Sequence, residues 1–162
     1  SFGVTVAQEN VKRCKSADAG FIKRMKAAIP DVKFVLDVKQ CVRSGVKPFE
    51  LLDIMGENLA HVHLSDHTAY CDCLPVGKGV FDVYKLFCRL CGLNFSGAVL
   101  LELYRDNYGD VSELIESHRR TVEAYSLSQQ GKIDLNGLAG IMDGINQKHS
   151  DGDYNSRGFD LR

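Results

Sequence analysis

The amino-acid sequence predicts an α/β protein built on a parallel sheet. Short apolar runs alternate with longer segments in which apolar residues recur every three or four positions, as on one face of a helix. Each short run is almost continuously apolar, which is typical of parallel strands covered by helices. The 162 residues contain 44% hydrophobic and 25% charged side chains, a globular composition at a length that can bury a core.

The first two units each pair a strand with a helix. A strand is predicted over Val4–Gln8, and a helix over Ala17–Ile29 ends before Pro30. The second strand is predicted over Val32–Val38, with the sequence Val-Lys-Phe-Val-Leu-Asp-Val. A helix over Pro48–Met55 follows it and opens with proline, whose fixed φ suits the first helical position.

The third and fourth units repeat this order. A strand over Leu59–Ser65 leads through a loop rich in turn residues to a helix over Phe81–Cys91. The last strand, Ala98–Tyr104, is followed by a helix over Val111–Leu127.

The remaining 35 residues form a predicted C-terminal extension, 128–162. A further short helix is predicted over Ile133–Ile145, although three glycines weaken it. From Gln147 the chain is polar, and we expect a flexible tail.

Charge and hydropathy exclude several classes of partner. Twenty basic and 21 acidic residues give a net charge of −1, so we expect no nucleic-acid partner. No apolar run approaches the roughly 20 residues that span a bilayer, and we expect no membrane partner. The chain begins with Ser1, and no basic region or long apolar region precedes Val4, so we expect no signal peptide. We expect a cytoplasmic protein that starts within a longer one or has lost its initiator Met.

The six cysteines admit two interpretations. Cys71 and Cys73 form a CxC pair and Cys88 and Cys91 a CxxC pair, which together could bind zinc. The second pair falls inside a predicted helix, where one thiol faces the core. We therefore favour reduced, partly buried cytoplasmic thiols over a zinc site.

A potential metal ligand lies at or near the end of every predicted strand. These residues are Glu9, Asp37, His63 and Glu102. One acid at a strand end usually caps a helix or meets solvent, but four successive coincidences favour a shared site. The carboxyl ends of parallel strands form the functional face of α/β folds, and a cation would relieve the cost of carboxylates within apolar runs. Three carboxylates and one imidazole suit Mn²⁺ or Mg²⁺ best, with Co²⁺ or Zn²⁺ possible.

Several segments of the chain resemble the xylose isomerase-like TIM barrel superfamily, which includes sugar phosphate isomerases and epimerases. The segments are Glu9-Asn10, Leu36-Asp37, His61–Asp66, Leu74–Gly79 and Leu100–Tyr104. The resemblance covers roughly residues 2–125. It implies a fold that is the C-terminal half, the last four βα units, of a (β/α)8 TIM barrel, with 1–127 as a partial barrel domain.

The resemblance also implies an activity and a ligand set. In the sugar-epimerase branch, Glu, Asp, His and Glu from the last four strands bind one divalent metal, which assigns Glu9, Asp37, His63 and Glu102 to that role. The implied reaction is isomerisation or epimerisation of a sugar or polyol through an enediolate. Glu9 and Glu102 would be the catalytic residues, one removing a proton and the other returning it.

The loop residues differ from the family pattern in three places. Gln40 stands where many members have a metal-binding His, Ala69 where epimerases tend to have a substrate-binding Arg, and Lys15 where a second acid is common. We predict substrate contacts from Gln40 and His67. Asp66 is expected to orient neighbouring loop groups.

Two alternatives remain open. One is an endonuclease IV-like phosphodiesterase acting on abasic DNA, but Gln40 removes one expected His and no His follows His67 before His118. The other is an inactive half-barrel that needs a partner, through homodimerisation or pairing with a missing N-terminal half.

Overall fold

The protein contains a four-stranded parallel sheet, as the sequence predicts. The structure, a computed structural model, describes residues 3–150 and the side chains of residues 3–130. The strands pair in chain order and are β1 (Ala7–Glu9), β2 (Lys33–Asp37), β3 (Leu59–Leu64) and β4 (Ala98–Leu101). Within the described residues, β1 and β4 form the two edges of the sheet. The predicted α/β class is confirmed.

In residues 3–150, five α-helices accompany the sheet. They are α1 (Ala19–Ala28), α2 (Val38–Ser44), α3 (Pro48–Met55), α4 (Val83–Gly92) and α5 (Val111–Ser150). Carboxylates cap the first turns of α1, α2 and α4: Asp18 accepts a hydrogen bond from the Phe21 N–H, Asp37 from the Gln40 N–H, and Asp82 from the Lys85 N–H. No described helix has both the length and the apolar character needed to cross a membrane.

The first strand and the second strand differ from their predicted bounds. Val4 and Val6 are largely exposed and precede β1, so their apolar character does not reflect strand burial. The second strand stops at Asp37, and α2 begins at once with Val38. Helix α2 was not predicted from the sequence.

The C-terminal segment also differs from the prediction. Helix α5 runs without a break from Val111 to Ser150, where the sequence predicts two helices and a tail starting at Gln147. Residues 151–162 of the predicted tail lie outside the described residues. The proposed boundary at residue 127 stays a prediction.

The hydrophobic core lies between one face of the sheet and the helices. Phe34 and Leu36 of β2 and Val62 and Leu64 of β3 are fully buried, and they alternate with less buried residues along each strand. Leu100 of β4 is 50% exposed on the opposite face. Glu9, Asp37 and His63 lie at the carboxyl-terminal ends of β1, β2 and β3.

Candidate metal centre

The four strand-end side chains meet at one edge of the sheet. Glu9 ends β1, Asp37 ends β2 and His63 is the penultimate residue of β3. Asp37 and His63 are partners in the parallel register, so their side chains are neighbours. Glu102 follows β4, and its N–H donates to the Leu64 carbonyl at 3.0 Å, which extends the pairing by one residue.

Distances from the His63 ring define the cluster. His63 Nδ1 lies 2.8 Å from Glu102 Oε2, 3.8 Å from Asp37 Oδ2 and 3.9 Å from Glu9 Oε1. Ligand atoms of Glu9, Asp37 and His63 all lie within 4.8 Å of one another. Glu102 adjoins this group through its contact with His63.

Three atoms of the cluster are buried without hydrogen-bond partners. They are Asp37 Oδ2, His63 Nδ1 and Glu102 Oε2. The short His63–Glu102 contact therefore does not have the alignment of a hydrogen bond. Leaving such an atom unsatisfied costs about 1–3 kcal/mol, and a bound cation would offset that cost. Carboxylate and imidazole donors fit a hard or borderline divalent cation, so these residues fit a divalent metal.

A buried lysine, not identified from the sequence, also joins the cluster. Lys39 Nζ lies 3.2 Å from Glu102 Oε1 and 3.5 Å from Asp37 Oδ2, and its side chain is 2% exposed. The ammonium also lies 4.7 Å from the centre of the Tyr104 ring. The sequence Asp37-Val-Lys39 gave no clear signal, because lysine is not a usual metal ligand and is rarely buried.

Burial and neighbouring charge shift the pKa values of three groups in opposite ways. Burial raises the pKa of Asp37 to about 6, against the opposing effects of the Gln40 N–H and the Lys39 ammonium. Burial acts to raise the pKa of Glu102 as well, but Lys39 and His63 outweigh it and the pKa falls. Burial acts to lower the pKa of Lys39, yet Asp37 and Glu102 outweigh it and the pKa rises. Lys39 and Glu102 therefore form an ion pair at neutral pH.

Asn10 joins the ends of the first two strands. Its Nδ2 donates to the Asp37 carbonyl at 3.0 Å and to Cys41 Sγ at 3.1 Å, and its Oδ1 accepts from the Asp37 N–H at 2.7 Å. Asn10 is buried and follows Glu9 directly. These bonds fix the backbone of one candidate ligand relative to the next.

Replacing Asn10 by Ala is expected to weaken both the fold and metal binding. The Asp37 N–H and C=O lose their buried partners, which should lower the free energy of unfolding by about 2 kcal/mol. Looser spacing between Glu9 and Asp37 should raise the Mn²⁺ dissociation constant roughly tenfold, measured by isothermal titration calorimetry.

Asn58 provides the matched control for this change. It is also buried, and its Nδ2 donates to the Pro30 and Val32 carbonyls just before the amino-terminal end of β2. Asn58→Ala should lower stability by a similar amount and leave Mn²⁺ affinity unchanged. An equal loss of affinity in both variants would contradict a specific role for Asn10.

Asp66 organises the loop that follows β3. Its carboxylate is buried and accepts four backbone hydrogen bonds: from His67 and Phe81 at 2.8 Å through Oδ1, and from Gly77 and Gly79 at 2.9 Å through Oδ2. A side chain at Gly79 would clash with the His67 carbonyl and with Asp66 Oδ1, which explains the glycine that ends the Leu74–Gly79 segment. The predicted orienting role of Asp66 is confirmed.

The two predicted substrate-binding residues have mainly structural contacts. Gln40 Oε1 accepts a hydrogen bond from the Lys12 N–H at 3.0 Å and so ties the start of α2 to the loop after β1. The His67 ring lies 6.1 Å from the Phe81 ring, beside the Asp66 loop. Substrate binding by Gln40 and His67 stays a prediction.

The cysteines lie outside the candidate metal centre. All six are free thiols, and Cys41 and Cys73 are buried. Across the described side chains, the one cluster with metal-ligand geometry consists of Glu9, Asp37 and His63 and includes no cysteine.

Comparison with known proteins identifies the fold family. The family model described as xylose isomerase-like TIM barrel matches residues 1–126. A crystal structure of a D-tagatose 3-epimerase-like protein matches with a TM-score of 0.62 at 16% identity, covering 80% of this chain and 49% of that one. A structure of L-ribulose 3-epimerase matches with a TM-score of 0.50 at 17% identity, covering 95% of this chain and 53% of that one.

The structural matches cover only part of the two solved structures. The chain spans about half the length of both solved structures. No curated protein sequence matches the chain. At identities this low, the two structural matches establish a shared fold and nothing more. The family model covers more than three quarters of the sequence. The predicted resemblance is confirmed: the chain belongs to the xylose isomerase-like TIM barrel family.

Proposed function

We propose that this chain carries the metal centre of a sugar epimerase or isomerase that transfers a proton through an enediolate. The observation that carries the proposal is the convergence of Asp37, His63 and Glu102, each with a buried atom that lacks a hydrogen-bond partner. The epimerase descriptions of the two similar structures support the same class of reaction. Glu9, Asp37, His63 and Glu102 would hold one divalent cation, with Mn²⁺ or Mg²⁺ preferred.

The two glutamates divide the proton transfer. A bound cation would supply a Lewis acid that polarises a substrate carbonyl and acidifies the adjacent C–H. One carboxylate, Glu9 or Glu102, removes that proton, and the electron pair of the C–H bond moves into the enediolate. The other, initially protonated, returns a proton to the same carbon from the opposite face, so the configuration inverts. The contacts of both glutamates with His63, at 3.9 and 2.8 Å, support their placement around one substrate.

The proposed activity is that of a whole barrel to which this chain contributes the metal ligands. The match covers only 49% and 53% of the two similar structures, and β1 and β4 each have one unpaired edge within the described residues. We propose that further βα units pair with these edges, either from the same polypeptide or from a partner. Exposed edge strands favour such pairing.

Hydrogen exchange from solvent into substrate tests the function directly. The protein, together with the βα units that complete its barrel, is loaded with Mn²⁺ in D₂O and mixed with a panel of ketohexoses and ketopentoses, and deuterium at the carbon next to the carbonyl is followed by NMR. We expect exchange with at least one sugar, loss of exchange in Glu102→Gln, and full exchange in Glu123→Gln, which changes an exposed glutamate on α5. Bound Mn²⁺ with no exchange across the panel would overturn the proposal. Nicking of abasic DNA would instead support the phosphodiesterase.

A further inference from the structure

The two carboxylate oxygens of Glu102 have different surroundings. Oε1 lies 3.2 Å from the Lys39 ammonium, whereas Oε2 lies 2.8 Å from His63 Nδ1 and has no hydrogen-bond partner. One oxygen is therefore neutralised inside the protein, and the other faces the cluster of candidate ligands. This asymmetry follows from Lys39, which is not itself a metal ligand.

The position of Lys39 is fixed by a series of contacts behind it. The ammonium packs over the Tyr104 ring, and the Tyr104 hydroxyl accepts a hydrogen bond from Arg43 Nη1 at 2.8 Å. Arg43 in turn pairs with Asp72 in the loop after β3, with Nη2 and Oδ1 3.2 Å apart. Because Lys39 is almost fully buried, it does not meet a substrate directly and acts through Glu102.

We propose that Lys39 is a positioning residue that occupies one oxygen of Glu102 and so limits Glu102 to a single-oxygen contact with the metal. A carboxylate that holds a metal through one oxygen can release it more readily than one that holds it through both. Lys39 also offsets one carboxylate charge of the ligand cluster through its contacts with Asp37 and Glu102. The inference rests on the proposed function.

This role predicts an unusual pair of effects when Lys39 is replaced. Lys39→Met frees Glu102 Oε1 and leaves three uncompensated carboxylates around the metal. Mn²⁺ should bind about tenfold more tightly, because a nearby positive charge has been removed. The rate of solvent hydrogen exchange into substrate should fall about a hundredfold, with the loss in kcat rather than KM. A merely structural role would weaken Mn²⁺ binding instead.

The experiment compares wild-type protein with Lys39→Met, Lys39→Gln and Lys26→Met. Mn²⁺ affinity is measured by electron paramagnetic resonance of the free ion, and folding by circular dichroism. Lys39→Gln keeps a polar side chain and provides the readout if Lys39→Met does not fold. Lys26 bonds to Glu57 and to the Met55 carbonyl, away from the candidate ligands, so its replacement should leave Mn²⁺ affinity unchanged.

The outcomes separate the two proposals. Tighter Mn²⁺ binding in folded Lys39 variants, with slower exchange, supports the positioning role. Unchanged or weaker binding in these variants, beside normal binding in the wild type, overturns that role alone. Absence of Mn²⁺ binding by the wild type overturns the proposed function and this inference together.

Discussion

Replacing Asp37 by Asn is expected to lower Mn²⁺ affinity at least about a hundredfold while stabilising the metal-free protein. Asp37 is the most deeply buried of the candidate ligands, and its Oδ2 lacks a hydrogen-bond partner. An amide there removes an anionic ligand and presents a donor to the metal. The same change removes a buried negative charge beside Glu9 and Glu102, which should raise the free energy of unfolding by about 1–2 kcal/mol in EDTA.

Two features keep the folded state intact in the Asp37→Asn protein. The remaining amide oxygen can still accept the Gln40 N–H at the start of α2, and Lys39 keeps its contact with Glu102. Calorimetry gives the Mn²⁺ affinity, and thermal unfolding in EDTA gives the stability. Asp53→Asn, on the exposed surface of α3, should change neither quantity. Retained Mn²⁺ affinity in Asp37→Asn would remove the central ligand from the proposed site.

Replacing Asp66 by Ala is expected to lower the free energy of unfolding by about 3–5 kcal/mol. The buried carboxylate accepts backbone hydrogen bonds from His67, Gly77, Gly79 and Phe81, and alanine provides no acceptor for any of them. The loop between β3 and α4 should lose its ordered conformation, because these backbone amides would then form hydrogen bonds with water. Chemical denaturation followed by circular dichroism measures the loss.

Asp66→Asn is a sharper version of the same test. Asn keeps an acceptor for two of the amides but points an NH₂ donor at the other two, so most of the stability loss should remain. Asp53→Ala removes only an exposed ion pair with Arg89 and should cost less than about 1 kcal/mol. Wild-type stability in Asp66→Asn would show that fewer of the four hydrogen bonds matter than their geometry indicates.

The alternation of apolar runs predicted all four strands and four of the five helices because each of these elements leaves a local pattern. Helix α2 left none, since its seven residues follow β2 without a turn residue between them. Its start is set by Asp37, whose Oδ1 accepts the Gln40 N–H at 3.0 Å. When one acid both ends a strand and caps the next helix, sequence patterns assign it to the strand and miss the start of the helix.

The candidate site, like the fold, was only partly predictable from the sequence. Strand-end position was enough to bring Glu9, Asp37, His63 and Glu102 together, because parallel register places the ends of neighbouring strands side by side. Lys39 was not predictable, since its burial depends on Glu102 and Tyr104, which are distant in the sequence. The bonds of Asn10 likewise become visible only once β1 lies beside β2.

With a cation bound at the proposed site, the two oxygens of Asp37 would make the first turn of α2 a sensor of the metal. One carboxylate oxygen accepts the Gln40 N–H, and the other is the candidate ligand atom. A cation on Oδ2 would restrain the carboxylate and, with it, the hydrogen bond at Oδ1. The Gln40 amide proton should therefore exchange with D₂O more slowly when Mg²⁺ is added, while the capped amide of Lys85 in α4 should not respond. That single amide gives a diamagnetic readout of metal binding, independent of any substrate.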